Sequence, residues 1–158
     1  MVVVRELGTE DWADWRELRL AALRDAPEAF GATLADWQGE GDSERRWRAR
    51  LDSGHNVLAH LDGVPAGMVS GMPRGHRVVL ASMWVAPFAR GRGVGDALVA
   101  AVVERAEGTV FLDVVRTNTV AAALYRRHGF VDDGPGDGDL RRMVRHPSRS
   151  RLAPRAHP

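Results

Sequence analysis

Three glycines fall within five residues in Arg90–Leu98, RGRGVGDAL, where the apolar run LASMWVAPFA gives way to an apolar helical pattern. Glycine weakens helix and strand alike, so this concentration asks for a reason. Anion binding is one. Gly91, Gly93 and Gly95 let the backbone turn sharply and approach a ligand with no side chain between them. The N–H groups of such a turn converge. A helix beginning at Val94 adds its own open donors and the positive end of its dipole. No Ser, Thr, Asn or Asp stands just upstream of Val94 to cap those donors. Arg90 and Arg92 add fixed positive charge suited to phosphate oxygens. Asp96, in the first helical turn, argues the other way, since it could answer the dipole itself. Two familiar phosphate loops do not fit. A Walker loop needs lysine, and the last glycine of G-x-G-x-x-G is Asp96 here. The plainer alternative is a glycine-rich turn with surface arginines.

A second cluster lies in NTVAAALYRRHGF. Asn118, Ala121 and Tyr125 fall at i, i+3 and i+7, one face of one helix. That face carries an amide, a small residue that permits close approach, and a phenol. Taken singly, Asn118 also reads as an N-cap and Tyr125 as a packed aromatic.

The elements that position these clusters follow from periodicity. Residues 2–7 read as a strand and 11–24 as an amphipathic helix, and a second helix over 43–51 has Ser43 as its N-cap. NVLAHL, DG and VPAGMVSGM make a hairpin signal, and residues 76–85 continue the meander. A helix over 94–107 leads to a buried strand over 109–115. The connection through a helix makes that strand parallel to 76–85 and right-handed. A helix over 118–128 stops at Gly129, and short strands at 130–131 and 140–144 flank an acidic loop, DDGPGDGD. The order β, α, α, β, β, β, α, β, α, β, β predicts a single α/β (α+β) domain over 1–145. It is a mixed sheet of about seven strands with helices on both faces. Residues 146–158 read as a disordered tail.

Composition narrows the chemistry. All 22 basic residues are arginine, and cysteine is absent. That excludes lysine Schiff bases, cysteine nucleophiles and disulfides. A net charge of +1 gives no global field toward nucleic acid or membrane. The arginine run over 45–50 therefore reads as a surface helix face. No apolar run spans a bilayer, and a cytoplasmic protein is the expectation. The histidines show no metal spacing, so no metal is expected.

With both clusters read, the chain resembles the GNAT superfamily of N-acetyltransferases. Arg90, Gly93 and Gly95 fit its Arg/Gln-x-x-Gly-x-Gly/Ala signature, and residues 118–130 fit Asn-x-x-Ala-x-x-Leu-Tyr followed by Gly-Phe. The resemblance covers residues 2–145 and is most specific over 76–131. It implies acetyl-CoA as donor and direct transfer to a primary amine, on a small molecule or a peptide. The backbone from Arg90 through Gly91, Arg92, Gly93, Val94 and Gly95, with Asp96 beside it, would hold the pyrophosphate. The pantetheine arm would pair with Met83, Trp84 and Val85 as an added strand, which requires the two parallel strands to splay. Asn118 would hydrogen-bond the arm beside Ala121. Tyr125 would sit by the sulfur as general acid.

An alkylamine with a pKa of about 10 must lose a proton before it attacks. Many family members carry a glutamate for this on the strand equivalent to 76–85, and this sequence has no carboxylate there. Asp113 on the neighbouring strand is one candidate base. A water held by Ser82 or by strand carbonyls is the other. Phe30, Trp37 and Trp84 could line the acceptor pocket or belong to the core. Asp132, Asp133, Asp137 and Asp139 could attract a cationic acceptor or form a solvated loop. A homodimer through a sheet edge is open. The missing glutamate keeps alive a CoA-binding module without catalysis, and the loop alone also admits a nucleoside phosphate site.

Overall fold

The computed structural model describes residues 1–27 and 33–147. Eleven helices and strands carry the fold, in the order expected from the sequence. They are β1 (Val2–Glu6), α1 (Trp12–Asp25), α2 (Glu44–Asp52), β2 (His55–Leu61), β3 (Val64–Arg74), β4 (Arg77–Val85), α3 (Val94–Arg105), β5 (Val110–Val115), α4 (Thr119–Arg127), β6 (Val131–Pro135) and β7 (Leu140–Arg145). The strands form one seven-stranded sheet ordered β1-β2-β3-β4-β5-β7-β6. Every neighbouring pair is antiparallel except β4 and β5, which are parallel. Of the 146–158 tail, residues 148–158 lie outside the described residues, as does Phe30.

Local chemistry sets the boundaries. Ser43 accepts from the Arg46 N–H and starts α2, while Asn118 accepts from the Ala121 N–H and starts α4. The β2–β3 turn has φ of +49° at Asp62 and +82° at Gly63, the paired left-handed geometry of a tight hairpin. One expectation fails. Residues 132–135, read as loop, belong to β6, where Asp132 stands opposite Met143 and Pro135 opposite Arg141. A register shift between Asp132 and Pro135 absorbs the glycine and proline, which edge strands tolerate.

Alternation along the strands builds two cores. Val57, Ala59, Leu61, Val69, Leu80, Leu112 and Met143 meet Leu98, Val102 and Ala122 of α3 and α4. On the opposite face Leu58, Met68 and Trp84 meet Trp15, Leu18 and Leu23 of α1 and Trp47 and Leu51 of α2. Asp42 ties α1 to the start of α2. It takes two hydrogen bonds from Arg16 and one from Trp47 Nε1, which together hold its carboxyl down to about 2.

Candidate active site

The two parallel strands part almost as soon as they meet. They pair only at Val78 with Val110 and Val79 with Phe111. Beyond this point β5 continues with β7 as far as Val115–Leu140, and β4 continues with β3 as far as Val85–Gly67. The facing edges of β4 and β5 are thus left open between them. The cause lies in β4. Ser82 has φ of +55°, rare for a residue with a side chain, and the β3–β4 register shifts there. A bulge adds local twist and bends its strand, turning β4 away from β5.

The glycine loop stands at the end of β4. Gly91 and Gly93 have φ of +75° and +85°, a region that other residues enter only with strain. Gly93 is the N-cap of α3 and offers no side-chain cap. The first helical bond runs from the Ala97 N–H to the Gly93 carbonyl. Among the described residues, no acceptor meets the N–H of any residue from Gly91 to Asp96. The open run starts one residue later than the sequence suggested, because the Arg90 N–H turns to the Pro87 carbonyl at 3.4 Å. Gly95 serves packing instead. A Cβ there would sit 3.1 Å from Leu124 and 3.6 Å from Met83, so α3, α4 and β4 meet closely at this point.

The side chains around the loop are partly committed. Arg90 donates to Asp25 Oδ2 (2.7 Å) and to the Val85 carbonyl (3.1 Å), which ties the end of α1 to the end of β4. Trp84 Nε1 donates to the same Asp25 oxygen at 3.0 Å. The Trp84 bond, then Arg90, holds the Asp25 carboxyl below its usual range. Asp25, 65 residues from Arg90 in sequence, carried no local signal. Asp96 turns toward α4 and meets His128 Nε2 (2.9 Å) and Arg127 (3.2 Å), with the His128 bond the larger cause of its lowered pKa.

On α4, Asn118 spends Oδ1 on its cap and keeps its amide N–H groups, with Ala121 one turn on. Tyr125 is 6% exposed, and its ring meets Phe130 edge-on at 5.8 Å. Among the described residues, no hydrogen-bond partner meets its hydroxyl, and burial pushes the phenol well above its ordinary pKa.

Trp37 is 9% exposed and stacks on Trp47 at 4.3 Å, with Arg46 over its other side at 3.8 Å. Trp84 is 7% exposed. Both therefore stand mainly in the core beneath the α1/α2 side. Asp113 is engaged by Arg142 at two points, 3.0 and 3.1 Å. Both oxygens of this carboxylate are thus occupied by charge-assisted hydrogen bonds within the protein. Asp113→Asn is expected to keep kcat/KM within about threefold and to leave the pH–rate profile in place, consistent with a general base contributing ~10²-fold or more when present. A loss of a hundredfold would make Asp113 the base.

Comparison with known proteins bears on this arrangement. The chain superposes on a GNAT-family acetyltransferase from Streptococcus pneumoniae with a TM-score of 0.74 at 21% identity, covering 93% of this chain and 100% of that one. PaiA N-acetyltransferase from Thermoplasma acidophilum, in complex with coenzyme A, gives 0.71 at 17% identity over 93% and 99%. YncA from Salmonella typhimurium, with its cofactor acetyl-CoA, gives 0.69 at 19% over 100% and 98%. No curated protein sequence matches. At these identities the structures speak for the fold. The sequence itself speaks for kinship, since the profile of the Acetyltransferase (GNAT) family matches residues 12–130, from the first residue of α1 to the end of the Gly-Phe pair after α4. With its parted parallel strands and uncapped glycine loop inside that span, the chain belongs to the GNAT acetyltransferase family.

Proposed function

We propose that the chain is an acetyl-CoA-dependent N-acetyltransferase that passes the acetyl group directly to a primary amine while both substrates are bound. One observation carries the reading. Open N–H groups from Gly91 to Asp96 lie at the end of a strand whose edge beyond Val79 is unpaired. An anion cradle beside a free strand edge suits a ligand that has a diphosphate at one end and an amide-bearing arm at the other. The coenzyme A and acetyl-CoA complexes of two structural relatives support that choice.

Bound acetyl-CoA supplies an acetyl group already activated as a thioester. The loop N–H groups hold the diphosphate, and the open edge at Met83, Trp84 and Val85 takes the amides of the arm. Asn118 adds its free amide N–H groups. A β4 N–H facing the acetyl oxygen stabilises charge that develops there. Tyr125 donates to the sulfur. Since burial raises the phenol further above a thiol of about 8.5, its part is hydrogen-bond donation rather than full proton transfer. With both Asp113 oxygens engaged by Arg142, the amine's proton goes to water at the strand carbonyls.

The test compares acetyl-CoA, ATP and NAD by thermal shift, then measures CoA release with a panel of amines. Acetyl-CoA at 100 times its Kd contributes about 2.7 kcal/mol, which for a chain of this size raises Tm by roughly 5–10 °C. ATP and NAD are expected to give little. No shift at millimolar acetyl-CoA overturns the reading. A shift with no CoA release from any amine makes the protein a binding module.

A further inference from the structure

On the α1/α2 face the Arg50 guanidinium is held by neutral oxygens. Arg50, in the last turn of α2, donates to Asn56 Oδ1 (2.9 Å), Ser70 Oγ (2.9 Å) and Ser82 Oγ (3.2 Å). Its Cζ lies 5.2 Å from the centre of the Trp15 ring. These acceptors are themselves fixed. The Ser70 hydroxyl donates to Asn56 Oδ1 at 2.7 Å, and Asn56 Nδ2 donates to the carbonyls of Leu51 (2.9 Å) and Gly54 (3.1 Å). Asn56 and Ser70 are fully buried. Among the described residues no carboxylate pairs with Arg50. Withdrawing a guanidinium from water without a counter-anion is unfavourable, and nothing about a surface helix demands it. Burial pulls the Arg50 pKa below its ordinary value, with no acidic neighbour to restore it. A fixed, half-buried and uncountered cation is the arrangement that receives an anionic group.

Position says whose anion it is. Ser82 is the bulge residue of β4, in the stretch where β4 has left β5. Its hydroxyl accepts from Arg50, and its own proton meets no acceptor among the described residues. Arg50 thus reaches the opening from the side of α1 and α2, while the glycine loop stands at the start of α3, whose helix covers the other face. Three carboxylates, Asp25 at the end of α1, Asp42 before α2 and Asp113 on β5, are already engaged by Arg90, Arg16 and Arg142. A polycationic acceptor would meet an uncountered guanidinium there.

We infer that the acceptor is an amine that also carries a carboxylate, of amino-acid type. Its anionic end is taken by Arg50 and the Ser82 hydroxyl, and its nitrogen is thereby set at the opening between β4 and β5. The inference rests on the acetyltransferase reading and names the substrate class for it. Arg50 spends three of its five N–H donors on protein oxygens, so donors remain for the ligand.

The experiment uses the full chain with acetyl-CoA and matched pairs of acceptors: free amino acids against their amides and against the amines that lack the carboxylate. CoA release and thermal shift are both read. A charge-assisted hydrogen bond predicts a kcat/KM ratio of about 30-fold or more in favour of the carboxylate. Arg50→Gln is expected to bring the ratio within about threefold while the acetyl-CoA shift persists, and Arg50→Lys to restore part of it, because the lost term is a charge contact. Should Arg50→Gln not fold, Ser82→Ala reads the same ratio and is expected to lower it. Equal turnover within pairs, a ratio indifferent to both substitutions, or no binding and turnover of any carboxylate member overturns the inference. Loss of the acetyl-CoA shift in the wild type would instead overturn the acetyltransferase reading beneath it.

Discussion

Gly93→Val is expected to weaken acetyl-CoA binding by about a hundredfold and to lower Tm by roughly 2–12 °C. Gly93 sits at φ +85°, where a β-branched residue costs on the order of 1–3 kcal/mol. No atom within 4 Å would meet a Cβ there, so the effect is purely one of backbone conformation. If the loop keeps its shape, the strain appears as lost stability. If it relaxes, the N–H groups from Gly91 to Asp96 no longer converge and affinity goes. Gly75→Val separates the two consequences. Gly75 has φ +63° and equally open surroundings, but it lies in the β3–β4 turn, at the other end of β4. It should lose stability with acetyl-CoA affinity unchanged. Calorimetric titration of both variants decides the matter. Wild-type affinity in Gly93→Val would remove the loop from the binding site.

Tyr125→Phe is expected to lower kcat by about 10²–10³ while acetyl-CoA affinity stays within a few fold. The substitution removes one oxygen and leaves the ring on Phe130. Among the described residues no group is left without a partner by this change, so Tm should hardly move. That combination isolates the hydroxyl's part in sulfur departure. A kcat within threefold of wild type would show that the thiolate leaves unaided.

Much of this arrangement is written in short stretches of sequence. Asp62-Gly63 announces its hairpin, Ser43 and Asn118 announce their helices, and the glycines at 91 and 93 mark a turn that only they adopt without strain. Local signals of that kind need no tertiary context. The Ser82 bulge has none, because nothing in RVVLASMWV distinguishes the residue that will take φ +55°. The same limit hid Asp25, whose partners Trp84 and Arg90 lie 59 and 65 residues further along the chain. Arg50 is a different case. The arginine run suggests one surface face, yet Trp47 and Leu51 are the buried residues of α2, and Arg50 stands three after one and one before the other. Helical spacing places it at the border of the buried stripe, where a long side chain can reach beneath the helix. The residues of β6 look like loop in the sequence because of their glycine and proline, although an edge strand accepts both.

The parting of β4 from β5 has a mechanical side. Four strands on one flank and three on the other share a ladder only at Val78–Val110 and Val79–Phe111. Elsewhere the flanks share an apolar core that includes Val69, Leu80, Leu112 and Met143, and Asp96 of α3 meets Arg127 and His128 at the end of α4. Apolar contact has no direction to enforce, unlike a backbone ladder. A strand-like guest seated in the gap would supply the rungs that the β4–β5 ladder lacks beyond Val79.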